Sequence, residues 1–158
     1  MVTTCRFSSR RRFLGALALG LCAGLLAMPS AGAADDGTPL RVLILSGLNN
    51  HDWRSTTPVI QKMFRDSGRF GTVDVTDAPA ALDAGRFAAY DVVVSNWTPY
   101  PDTRRTWPPE TEAAFLDFVR GGGGFVVIHA AACTFQVWPE FQQLIALTWK
   151  ENYTAHSA

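Results

Sequence analysis

Arg41–Ser46 (RVLILS) is the stretch on which the fold turns. It is apolar from Val42 to Leu45, has strand length and stops at Gly47. A strand with one wet face alternates polar and apolar residues. An unbroken apolar run fits a strand covered on both faces, as in a parallel sheet. Tyr90–Ser95 (YDVVVS) and Phe125–His129 (FVVIH) repeat the pattern. Thr72–Thr76 (TVDVT) alternates and reads as a strand nearer an edge.

Helical patterns lie between these runs. Ser55 or Thr56 can cap a helix with Pro58 in its first turn and Val59, Ile60, Met63 and Phe64 on one face. Ala80–Gly85 reads as a short helix or turn. Glu110–Arg120 is a helix with Phe115, Phe118 and Val119 inward, closed by Gly121. Pro139–Leu147 is another, with Phe141, Leu144 and Ile145 inward. Strand and helix thus alternate, which predicts a mostly parallel sheet covered on both sides by right-handed crossovers. The class is α/β, a flavodoxin-like three-layer α/β/α fold. Ligands of such sheets sit at the carboxyl ends of the strands, where strand order reverses. That rule marks the loops after Ser46, Ser95 and His129.

Composition excludes several alternatives. The chain has 158 residues, with 14 basic and 14 acidic side chains. Residues 1–33 hold Arg6, Arg10, Arg11 and Arg12 and no acid, so the rest carries ten basic against fourteen acidic residues, a net charge near −4. A mildly acidic body argues against nucleic acid or an anionic membrane as partner. Ser9-Arg10-Arg11-Arg12-Phe13-Leu14, an apolar run to Met28 and Ala31-Gly32-Ala33 form the three regions of a secretory signal. The arginine pair resembles a bacterial twin-arginine signal. The expectation is a signal over 1–33, a linker over 34–39, a domain over 40–158, export to the periplasm or medium, and no stable membrane span once the signal is cleaved. Cys5 and Cys22 leave with the signal, so Cys133 has no internal disulfide partner.

The marked loops carry the chemistry. Asn49, Asn50, His51, Asp52 and Trp53 follow the first strand. Amides, an imidazole, a carboxylate and an indole together suit a polyhydroxylated ligand; Asn and Asp serve equally well as turn formers and helix caps. His129 ends a buried strand, where an imidazole suits acid/base work, metal binding or a satisfied place in the core. Cys133 has no Lys or Arg nearby in sequence to activate its thiol. Gly121–Gly124 precedes a strand and lacks the Lys-Ser/Thr of a phosphate loop. Zinc-type spacing is absent. His51, Asp52, His129 and His156 could meet only through the fold, so no metal ligand is assigned and the cofactor stays open.

RVLILSGLNNHDWRSTTPVI, YDVVVSNW, GGGGFVVIHAA and the following WPEF together resemble the ThuA-like (trehalose-utilisation) family from about Arg41 to Thr148. The resemblance implies a flavodoxin-like domain of the class I glutamine-amidotransferase-like superfamily without that superfamily's Cys–His pair, and a role in sugar or disaccharide metabolism. His51, Asp52, Asn96 and His129 match polar residues that line the family's strand-end pocket. The expected catalytic groups are His129, His51 and Asp52, acting on a glycoside or keto-sugar. Asn49, Asn50, Trp53, Asn96 and Trp97 would hold the sugar; self-association is left open. A non-catalytic carbohydrate-binding module is the alternative. The chain departs from the family in Ala131-Ala132-Cys133, where polar residues are common. ThuA-like domains also continue well past the WPEF helix, so a chain ending at Ala158 is expected to be truncated, an inactive fragment on a third reading, with an apolar sheet edge open.

Overall fold

A computed structural model of the chain describes residues 37–104 and 106–149. The expected signal over 1–33, the first half of the linker (34–36), and the tail with His156 lie outside the described residues. Four parallel strands, β1 (Leu40–Leu45), β2 (Phe70–Thr76), β3 (Val92–Ser95) and β4 (Gly124–Val127), form one sheet in the order β2-β1-β3-β4. Val42 pairs with Val73 on one side and Val92 on the other. Val94 pairs with Val126. The unbroken apolar run of β1 is one of the two inner strands, with Val42–Leu45 at 0–1% exposure.

The two faces are covered differently. Helix α1 (Trp53–Asp66) lays Ile60 and Phe64 over Val42, Ile44, Val73 and Val94. Helices α2 (Ala84–Phe87), α3 (Pro109–Arg120) and α4 (Pro139–Ile145) cover Leu43, Leu45 and Val93 on the opposite face, with Phe87, Phe115 and Phe141 innermost. The chain moves one way from β1 to β2 and the other way from β2 through β3 to β4, and right-handed crossovers then place α1 opposite α2 and α3. Among the described residues β2 and β4 are the edges, and Val126 on β4 is 46% exposed. No helix among the described residues is long and apolar enough to cross a membrane.

Three boundaries correct the sequence reading. Helix α1 starts at Trp53, capped by Asp52 and not by Ser55 or Thr56. Oδ1 of Asp52 accepts from the Ser55 backbone at 3.2 Å and Oδ2 accepts from the Ser55 hydroxyl at 2.6 Å, so the first turn is satisfied earlier. Pro58 therefore sits in the second turn, where its missing N–H removes one helical bond. Strand β4 ends at Val127, short of His129, because His129 takes the left-handed conformation, with φ 45°, and opens a 3₁₀ turn over His129–Cys133. Helix α4 ends at Ile145 because Ala146 also turns left-handed, with φ 59°. The glycine run is the turn from α3 into β4: Gly122 has φ +99°, and a Cβ on Gly123 would stand 2.3 Å from the Phe118 ring.

Candidate functional site

The strand order reverses between β1 and β3, so the loops after them part and leave a crevice at their carboxyl ends. A buried polar network ties those loops together. Ser46, Thr57 and Asn96 are at most 6% exposed. Ser46 and Thr57 share a hydroxyl hydrogen bond of 2.7 Å. The Asn96 amide donates to Thr57 Oγ1 at 3.0 Å and to Thr56 Oγ1 at 3.2 Å. The Asn49 amide donates to the Asn96 carbonyl at 3.0 Å, and Asn49 Oδ1 accepts from the His51 backbone at 2.9 Å. Thr98 N–H donates to Leu48 O at 2.9 Å. Gly47 has φ +94°, and a Cβ there would lie 2.7 Å from the Asp77 carbonyl, so the chain leaves β1 against β2 by a path open only to glycine.

This scaffold brings two imidazoles together. His51 comes from the loop after β1 and His129 from the left-handed turn after β4. Their ring centroids are 4.7 Å apart and the planes are tilted by 45°. Both rings line a cavity of about 410 Å³ with Asn50, Cys133 and Trp149. The Asn50 amide nitrogen lies 3.5 Å from His51 Nε2. The left-handed turn holds His129 in a conformation uncommon for a residue with a Cβ, a kind of strain that concentrates at functional sites. Burial pushes the Cys133 thiol upward, which disfavours the thiolate.

The other expected residues are placed elsewhere. Asp52 is the α1 cap; its bonds to the Ser55 hydroxyl and backbone hold its carboxyl below the usual carboxylate range. Trp53 carries the Arg54 guanidinium 4.3 Å above its ring. It lines a separate cleft of about 310 Å³ with Ser46, Thr57 and Asp77. Asn49 and Asn96 use their amides inside the scaffold. Trp97 is 5% exposed, with its ring 5.9 Å from Trp107 and 5.7 Å from Phe135, so it belongs to the aromatic core. Sequence reasoning missed Thr148 and Trp149. They fold back on the 3₁₀ turn: Trp149 N–H and Thr148 Oγ1 both donate to the Ala132 carbonyl, at 3.3 and 3.2 Å. No periodicity marks that segment; the only signal was an isolated tryptophan after a helix. Among the described residues no set of three or more His, Cys, Asp or Glu side chains is grouped to hold a metal.

Comparison with known proteins now bears on this geometry. The model of the family ThuA, trehalose utilisation, matches residues 41–157. A ThuA-like protein of Parabacteroides merdae ATCC 43184, whose crystal structure is solved, is similar at 35% identity and TM-score 0.59, over 71% of this chain and 40% of that one. One of Bacteroides uniformis ATCC 8492 shows 19% identity and TM-score 0.49, over 66% of this chain and 43% of that one. The chain thus spans less than half the length of either. No curated protein matches it. The match over residues 41–157, on a four-stranded parallel α/β sheet, places the chain in the ThuA (trehalose utilisation) family.

Proposed function

We propose that the cavity at the strand ends binds a sugar, and that the chain acts in sugar or disaccharide metabolism of the trehalose type. The observation that carries this reading is the meeting of His51 and His129, 4.7 Å apart, on a cavity of about 410 Å³. That volume is within the range of small-molecule sites. Imidazole is the side chain suited to proton transfer near neutral pH, at a glycosidic oxygen or beside a keto group. Asn50 offers an amide to a hydroxyl, and Trp149 lines the same wall. Asp52, Asn49 and Asn96 act by positioning the loop. The basic and apolar character of residues 1–33 supports export by the twin-arginine route. The test follows trehalose and a keto-disaccharide by NMR in the presence of the full chain. His51→Ala and His129→Ala are each expected to lower turnover by about 10²–10⁴-fold; unchanged turnover in both sinks the assignment.

A second reading is a sugar-binding module without chemistry. What favours it is that Asn49, Asp52 and Asn96 already make their hydrogen bonds within the protein. Calorimetry showing sugar affinity without turnover would select it.

A further inference from the structure

We infer that the turn at residues 100–103 and Gln136 build a second sugar subsite beside the histidine cavity, and that Tyr100 there selects ligands of two linked sugar units over single sugars. The inference rests on reading the histidine cavity as a sugar site. A second cavity of about 450 Å³ adjoins it, and both volumes lie in the range of small-molecule sites. Asn50, Cys133 and Trp149 line both, so the two spaces share one wall. The far wall is built from segments tied to one another. Thr103 N–H donates to the Pro101 carbonyl at 3.0 Å, which closes the turn in the loop after β3. Gln136 N–H donates to the Thr103 carbonyl at 3.0 Å and fastens that turn to the segment before α4. The Gln136 amide donates to the Trp149 carbonyl at 3.3 Å, and Trp149 N–H donates in turn to Ala132. Such bracing fixes the lining before a ligand arrives, which lowers the ordering cost of binding. On this frame the Tyr100 side of the cavity is open, with the residue 54% exposed. A ring left in water at the rim of a braced cavity offers its face to the C–H surface of a sugar and its hydroxyl to a polar group. Gln136 spends its amide nitrogen on Trp149, and its amide oxygen suits a sugar hydroxyl as donor; Thr103 adds a hydroxyl that donates or accepts. A disaccharide with one ring against His51 and His129 can lay the other past the shared wall onto Tyr100. A single hexose fills one cavity only.

The test titrates the full chain with glucose and with trehalose by calorimetry. The parent is expected to bind trehalose at least roughly tenfold more tightly than glucose, since the second ring adds contacts that the single sugar lacks. Tyr100→Ala removes an exposed side chain and should melt like the parent. It is expected to weaken trehalose about tenfold and to leave glucose within about twofold. Tyr100→Phe keeps the ring and should hold trehalose within about threefold of the parent. A second measurement needs no variant. Trehalose should protect Tyr100 of the parent from nitration by tetranitromethane, as read by mass spectrometry, and glucose at equal occupancy should not. Equal affinity for the two sugars, Tyr100→Ala weakening both alike or neither, or no protection by trehalose overturns the second subsite, while sugar binding itself leaves the reading of the histidine cavity standing. If neither sugar binds the parent, that reading fails and the subsite falls with it.

Discussion

The two faces of the sheet are built from different materials. Under α1 the core is aliphatic: Val42, Ile44, Val73 and Val94, closed by Ile60 and Phe64. On the opposite face Trp97, Trp107, Phe115, Phe135, Trp138 and Phe141 form a continuous aromatic cluster. Trp107 and Phe135 are 4.8 Å apart, and Phe115 meets Phe125 at the same distance. One helix with a narrow apolar stripe covers the first face. Several short helices and long loops cover the second, and large rings fill the irregular space they leave. Aromatic residues in a loop are therefore ambiguous as ligand-binding signals, because the same loop can be a wall of the core.

The contrast can be broken by truncation. Phe115→Ala removes a fully buried ring that touches five others and should cost about 3–5 kcal/mol in denaturant unfolding. Ile44→Val, on the aliphatic face, should cost only about 0.5–1.5 kcal/mol. Equal losses would show that the aromatic cluster packs no more tightly than the other side. The seam between the faces comes next. Asn96→Ala removes the amide that donates to Thr57 and Thr56, while Asn49 keeps the backbone carbonyl of residue 96, and should cost about 1–3 kcal/mol. Its effect on sugar binding should exceed that of Ile44→Val, since Asn96, unlike Ile44, belongs to the polar network that holds the His51 loop.

At the carboxyl end of β4, His129→Gly should be more stable than His129→Ala by about 1 kcal/mol, because glycine accepts the left-handed turn. The smallest effect separates the faces by pH. Asp52, capping α1, is held below its ordinary pKa by Ser55. Its contribution is present above the unfolded carboxylate range and lost as pH falls through its folded value. Glu112, on α3, is pushed up by burial, with one carboxylate oxygen unpartnered among the described residues; the Trp107 backbone opposes the rise and Glu140 adds to it. Its sign is opposite: the stability is fully present below the unfolded value and lost as pH rises through the folded one. Urea melts from pH 3 to 7 should therefore steepen on the acid side for Glu112→Gln and flatten there for Asp52→Asn. The same acid slope in both variants would refute the assignment.

Much of this architecture is legible in the sequence. The runs at Arg41–Ser46 and Tyr90–Ser95 announce strands because burial on both faces leaves no room for polar alternation. The alternation of strand and helix leads on to the parallel sheet. The site is legible only in part. His51 and His129 stand out by residue type and by position after a strand. Trp97 does not reveal its place, since nothing local separates a ring packed on Trp107 from one facing solvent. The start of α1 is not legible because Asp52, Ser55 and Thr56 are all competent caps, and only the folded loop selects among them. Thr148 and Trp149 reach the cavity through hydrogen bonds to Ala132, a tertiary return with no period to detect.

Thr57 lies inside α1, 6% exposed, and does not line the histidine cavity. Its hydroxyl nevertheless joins Ser46 to Asn96, and through Asn49 the backbone of His51. Thr57→Val keeps the shape and removes that junction. Such a change would be recorded in a genetic screen as a loss of function at a silent-looking helix position. The heritable address of the proposed site thus extends into a helix none of whose residues lines the histidine cavity.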